Sequence, residues 1–211
     1  MSDTEDTEEL KTNSISSKKR NIIIDNNIID EEEQLKIGTI ELIGDLFINI
    51  CEENKTKKCN KNIPLKYFTN KNIPSISIKD YLFRLSKHSK VNESTIILIL
   101  IYIDRICNMN NFILTYYNIH KLILAAFILS DKYNEENYYH MNYYSKIGGV
   151  SLSELNYLES EYLILIHYKL FVDTKLYDKY YNDLMNLKYD DMEENEEEFE
   201  DEKEGEEDGI Q

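Results

Sequence analysis

Between residues 35 and 187, apolar residues recur every three to four positions over most of the chain, the spacing that gathers them on one face of an α-helix. Ile37, Ile40, Ile43, Leu46, Phe47 and Ile50 predict a first amphipathic helix over 35–52. The loop "KTKKCNKN" and a connector punctuated by Pro64 and Pro74 follow it. Ile78, Tyr81, Leu82 and Leu85 then share one face over 77–87. Asn92 is placed to cap a long apolar helix running through Ile106, and Thr115 to cap the next, which carries "KLILAAFILSDKY". A shorter, tyrosine-rich helix is predicted over 137–147, closed by Gly148 or Gly149 in the left-handed conformation. Ser151 and Glu154 fit a capping box, with Val150 and Leu155 as the hydrophobic staple around it. A last amphipathic segment covers 174–187.

Two of these helices, those starting near Asn92 and near Thr115, are apolar nearly all round. Such helices belong in the middle of a bundle, with amphipathic ones packed around them. The run "IILILIYI" at 96–103 is β-branched and its intrinsic preference also suits a strand. The cap before it, its length and its neighbours favour helix. The expected fold class is therefore all-α, without internal repeats.

Charge changes the picture at the ends. The net charge of the 211 residues is −16, yet 190–211 alone holds 14 acids against one lysine. The remainder is close to balance. The acidic tail, 189–211, has too little apolar surface to offset the entropy of ordering it, so disorder is expected. It reads either as a solubilising tail or as a docking segment or electrostatic decoy for a basic partner. Residues 1–34 read as a flexible arm, with "KKR" at 18–20 as a weak import signal. Without a basic stripe, nucleic acid is not an expected partner.

Three cysteines, Cys51, Cys59 and Cys107, lack close metal-ligand spacing, and no apolar leader opens the chain. The longest apolar run ends at Asp104 and Arg105, short of the ~20 residues a bilayer requires. A soluble intracellular protein, nuclear or cytoplasmic, is expected. His88, His120, His140 and His167 are scattered and read as surface or half-buried residues. No Gly-rich phosphate loop, HExxH or CxxC occurs, so no metal, cofactor or small-molecule substrate is expected, and an enzyme reading has no residues to stand on.

Glu159 stands apart. On a wheel advancing about 100° per residue from Leu152, Leu155, Leu158, Tyr162, Leu163, Leu165 and Ile166 fall in one arc, and Glu159 falls inside it. Glu154 and Glu161 lie at or beyond its edge. A carboxylate on a packed face is costly unless a cation or several hydrogen bonds receive it. Lys132, in the last turn of the most apolar helix, is the natural cation. Lys132 serving only its own helix C-terminus, with Glu159 at the edge of the arc, is the other reading.

The segments "PSISIKDYLFRL" (74–85), "YIDRI" (102–106), "ILSDKY" (128–133) and "YYSKIGGVSLSELNYLESEYL" (143–163) resemble the cyclin box. The form resembled most is that of the P-type (P/U-type) cyclins of the fungal phosphate-response group. The resemblance covers about 63–187. It implies a single five-helix cyclin box over 63–188, flanked by an N-terminal helix and loop at 35–62 and closed by a short C-terminal helix. It leaves no room for a second box. It also implies a function: a regulatory subunit, not itself an enzyme, that binds and activates a cyclin-dependent protein kinase by positioning its αC helix and activation loop.

Carried over residue by residue, the resemblance makes Lys132 and Glu159 the kinase-binding pair, bonded to backbone near that αC helix. Many cell-cycle cyclins have "MRxxL" in the first box helix, whose arginine meets the aspartate of "YIDR", here Asp104. This chain lacks that motif, and Arg84 lies about ten residues later. Arg84 is expected to bond Asp104 or a neighbouring carbonyl, so that Arg84, Asp104 and Tyr102 stabilise the box while Ser151 and Glu154 cap the fifth box helix. A cyclin-like helical adaptor for a non-kinase partner is the alternative.

Overall fold

A computed structural model describes residues 22–24, 27–29, 31–57 and 67–187. The basic triplet at 18–20, the connector proline Pro64, Cys59 and the acidic tail lie outside the described residues. Among those described, the helices in chain order are α1 (Glu31–Glu53), α2 (Ile78–Ser89), α3 (Glu93–Asn110), α4 (Ile119–Asn134), α5 (Met141–Gly148) and α6 (Leu152–Leu165). A seventh, α7, covers 174–187. A small antiparallel ribbon, β1 (Ile22–Ile24) with β2 (Asn27–Ile29), precedes them and pairs Ile23 with Ile28. The all-α architecture expected from periodicity is the one observed.

α3 and α4 pack against each other at the centre; α1 and α2 cover one side and α6 another, with α5 bridging α2 and α6. From Thr95 to Ile103 every residue of α3 is buried, as is every residue of α4 from Leu122 to Asp131. This explains why the β-branched run at 96–103 is helical. The propensity penalty is at most about 0.7 kcal/mol per residue. Full burial of an Ile or Leu side chain contributes roughly 1.5–3 kcal/mol. Tertiary burial outweighs local preference.

Helix boundaries shift from the sequence reading where turn chemistry intervenes. α4 begins at Ile119 rather than near Thr115, because Asn118 accepts from the Thr115 N–H at 2.8 Å and donates to the Ile113 carbonyl at 2.9 Å. These bonds close a turn before the helix. α5 begins at Met141 rather than 137, since the preceding Tyr139 N–H donates to the Tyr144 hydroxyl instead of a helical carbonyl. Asn92 does occupy the cap position of α3, but without a side-chain capping bond; its amide points to Glu135.

The first helix, α1, packs on α2 and α3. Ile40, Ile43, Phe47 and Cys51 enter the core, and Gly44 allows close approach to α2: a Cβ there would meet the Lys79 Cγ at 2.6 Å. Lys79 pairs with Asp45 at 2.6 Å, and Thr39 donates to Glu93 at 2.5 Å, tying α1 to α2 and α3.

Gly149 ends α5 with φ of 70°, and nothing lies within 4 Å of a Cβ built there. Space is free, so an alanine suffers only the left-handed backbone strain, about 1 kcal/mol. Gly149→Ala should lower the melting temperature by roughly 2–4 °C, and Gly149→Asn by less. Thermal melting followed by circular dichroism checks both.

Candidate functional site

The α5–α6 junction aims the helix that carries Glu159. Ser151, extended at the N-cap, accepts from the Glu154 N–H at 3.1 Å. α6 then buries Leu155, Leu158, Tyr162 and Leu165, with Ile166 just beyond its end; Leu163 is half-buried. Leu152, placed in the arc by the wheel, is exposed at the first position of the helix. Glu159 sits where α6 crosses the end of α4, and the Lys132 Nζ meets its Oε1 at 2.7 Å. Both side chains are partly covered, 26% exposed for Lys132 and 19% for Glu159.

An ammonium has three donors and a carboxylate two acceptor oxygens. The pair uses one of each, and neither group has another hydrogen-bond partner among the described residues. Two lysine N–H groups and the second carboxylate oxygen are thus left for water or for the backbone of a partner. Tyr133 and Ile164, 50% and 53% exposed, follow on the same two helices.

The other half of the capping box is not formed. The Glu154 carboxylate pairs with Lys121 at 2.7 Å instead of returning to the Ser151 N–H. Lys121 also donates to the Tyr67 carbonyl at 3.2 Å, so the cap is tied to the incoming connector as well. A nearby lysine is a stronger partner for a carboxylate than an exposed amide.

The sequence reading missed an anchor beside Lys132. Asp131 is 1% exposed and accepts from the Tyr144 hydroxyl at 2.6 Å, and that hydroxyl accepts from the Tyr139 N–H at 3.0 Å. Burial raises the Asp131 carboxyl above its ordinary value, against the opposing pull of the Tyr144 bond. Four residues on, Glu135 accepts from Thr95 at 2.6 Å and from the Asn92 amide. Together these bonds fix the course of the chain as it leaves Lys132. The signal was available: an acid in a helix apolar on every side poses the question that Glu159 posed.

Arg84 and Asp104 do not meet. Arg84 donates to the Lys146 carbonyl at 3.2 Å, at the end of α5, whereas Asp104 accepts from Tyr180 at 2.5 Å and from Asn108 at 2.9 Å. Of the two kinds of partner expected for Arg84, the structure gives a backbone carbonyl and not Asp104: α2 turns Arg84 toward α5, and Asp104 faces α7. Tyr102 is fully buried and donates to the Leu170 carbonyl at 2.9 Å. Arg105 donates to the carbonyls of Lys169 and Phe171. These bonds hold the 166–173 segment, where His167 and Tyr168 adopt positive φ and Tyr168 and Phe171 point outward.

His120 is buried rather than half-exposed, with its Nε2 3.0 Å from the Ile76 carbonyl and its ring against Tyr81. Among the described residues there is no cluster of metal-ligating side chains and no helix long and apolar enough to cross a membrane.

Comparison with known proteins agrees with this architecture. The family model described as Cyclin matches residues 13–170. The chain is 33% identical over 152 residues to Cyclin-U2-1 of Arabidopsis thaliana, a match covering 68% of each protein. It is 33% identical over 131 residues to PHO85 cyclin-7 of Saccharomyces cerevisiae, covering 56% of this chain and 46% of that one. PHO85 cyclin-like protein psl1 of Schizosaccharomyces pombe is 35% identical over 111 residues, covering 52% and 46%. The match to the two fungal relatives spans about half of their length.

Proposed function

Since the chain belongs to the cyclin family, we propose that it is a regulatory subunit that binds and activates a cyclin-dependent protein kinase. The observation that carries this reading is the Lys132–Glu159 pair, mostly covered at the meeting of α4 and α6 with bonding capacity left over. The backbone flanking a kinase αC helix laid across this rim would offer unpaired carbonyls to the ammonium and N–H groups to the carboxylate, since groups inside the helix already bond each other. Tyr133 and Ile164 would bury their apolar surface beside it. Fixing αC inward sets the kinase's own Lys–Glu ion pair and activation loop for phosphoryl transfer. The cyclin performs no chemistry in this scheme. Relatives named as cyclins of PHO85 support a kinase of that kind as partner.

Affinity capture of the tagged full chain should recover a cyclin-dependent kinase, and adding the pure chain to that kinase should raise its protein-kinase activity. Capture that repeatedly recovers other proteins and no kinase would refute the proposal in favour of a cyclin-like adaptor.

A further inference from the structure

The segment that leaves α6, 166–173, is gripped from behind by two side chains of α3. The buried Tyr102 hydroxyl donates to the Leu170 carbonyl at 2.9 Å, and the Arg105 guanidinium donates to the carbonyls of Lys169 and Phe171. The Tyr168 N–H donates back to the Leu163 carbonyl at 2.9 Å, and the Lys169 N–H to the Ile166 carbonyl at 3.1 Å. On this fixed backbone Tyr168 and Phe171 stand outward, 69% and 72% exposed, the two most exposed large apolar side chains among the described residues. His167 and Tyr168 have φ of 54° and 56°, a left-handed conformation that glycine adopts freely and other residues avoid. Joining α6 to α7 requires neither two strained residues nor two aromatic rings in water. Strain and exposed apolar surface held in one place mark a segment shaped for contact.

Its position says what it contacts. Tyr168 follows Ile164 by four residues, and its N–H is bonded to the last turns of α6, so the ring continues the edge that carries Glu159. From the other side, Tyr133 and Asn134 at the end of α4 act on the Tyr102 hydroxyl that holds Leu170. Aromatic anchors on a backbone already fixed lose little freedom on binding, which makes them effective in an interface. We infer that Arg105 and Tyr102 are positioning residues that hold 168–171 so that Tyr168 and Phe171 dock on the kinase beside the Lys132–Glu159 pair, a role that rests on the kinase reading above. Arg105 acts through the carbonyls it holds. Its planar fork reaches two of them at once, which a lysine cannot reproduce.

The test uses the full chain and the purified kinase that it captures. Tyr168→Ser/Phe171→Ser should weaken kinase binding at least tenfold with thermal melting unchanged, since both side chains lie mostly in water. Arg105→Ala should weaken binding at least fivefold, and Arg105→Lys should restore only part of the loss. Because Arg105 works through the aromatic pair, the triple variant should bind no more weakly than the double serine variant. A second measurement needs no kinase. In the free chain, Arg105→Ala should speed hydrogen exchange of the Tyr168 and Lys169 amides at least tenfold while α4 and the body of α6 keep their protection. Unchanged exchange, or an additive loss in the triple variant, would overturn the positioning role. Unchanged affinity of the double serine variant beside a tightly bound wild type would overturn the docking of this segment alone. A wild type without affinity for any cyclin-dependent kinase would refute the kinase reading and this inference together.

Discussion

Lys132→Ala/Glu159→Ala is expected to weaken kinase binding by roughly 100-fold, about 2.7 kcal/mol, while the folded chain persists. The two effects separate because the pair does two different things. Within the chain it is a partly exposed ion pair at 2.7 Å. Such a pair contributes about 1 kcal/mol or less to stability after screening and side-chain entropy. Across a closed interface the same groups lose water and must be received by kinase backbone, so deleting them leaves desolvated partners without a bond. The charge-reversed variant Lys132→Glu/Glu159→Lys sharpens the distinction. It can reform an intramolecular pair and should recover stability. It would present acceptors where the kinase needs donors, so binding should stay weak. Unchanged affinity in the double alanine variant, measured by calorimetry against the purified kinase, would remove the pair from the interface.

Tyr144→Phe should lower stability near neutral pH by about 3 kcal/mol, or roughly 6–12 °C in melting temperature. The change removes the hydroxyl bonded to Asp131 and strands the Tyr139 N–H. The pH dependence carries the sign. The Asp131 carboxyl is raised in the folded chain, chiefly by burial. The folded state therefore holds this proton more tightly than the unfolded one, and the group's contribution to stability is greatest in acid. That contribution is lost as pH climbs from the unfolded carboxylate range through the raised folded value. Losing the Tyr144 bond raises the folded value further, so the penalty of Tyr144→Phe should shrink as pH falls below that window. Asp131→Asn keeps an acceptor for Tyr144 and removes the buried charge. It should match or exceed the wild type at neutral pH and should rescue part of the Tyr144→Phe loss. Denaturant melts of the four combinations from pH 4 to 8 would measure the coupling. A pH-independent difference between Tyr144→Phe and wild type would refute the coupling of the Tyr144 bond to the Asp131 proton.

Much of the molecule was legible one segment at a time. The seventh helix occupies the stretch predicted for it, α2 begins at Ile78, within the stretch predicted over 77–87, and α6 begins one residue after its expected cap, Ser151. Glu159 was found by the wheel, and the cation assigned to it is the one it meets. The misses have local and distant causes. Thr115 reads as a cap because it is a threonine before an apolar run, yet Asn118 closes a turn between the two. Arg84 was expected to bond Asp104 or a neighbouring carbonyl, and it bonds the Lys146 carbonyl, 62 residues away, which no side-chain identity announces.

The sequence by itself determined the helices, their buried faces and the need of Glu159 for a cation, because helical periodicity and capping act within a few residues. Only the tertiary structure decided the partners of the charged and polar groups. Asp131 finds a hydroxyl 13 residues on, Glu154 answers to Lys121 rather than to its own cap, and Asp104 is taken by Tyr180, 76 residues away. It also decided that α1 packs on α2 and α3. Hydrophobic burial is non-directional and tells a helix which face to hide without saying against what. Hydrogen bonds and ion pairs depend on distances of a few ångströms, which exist only once the helices have packed.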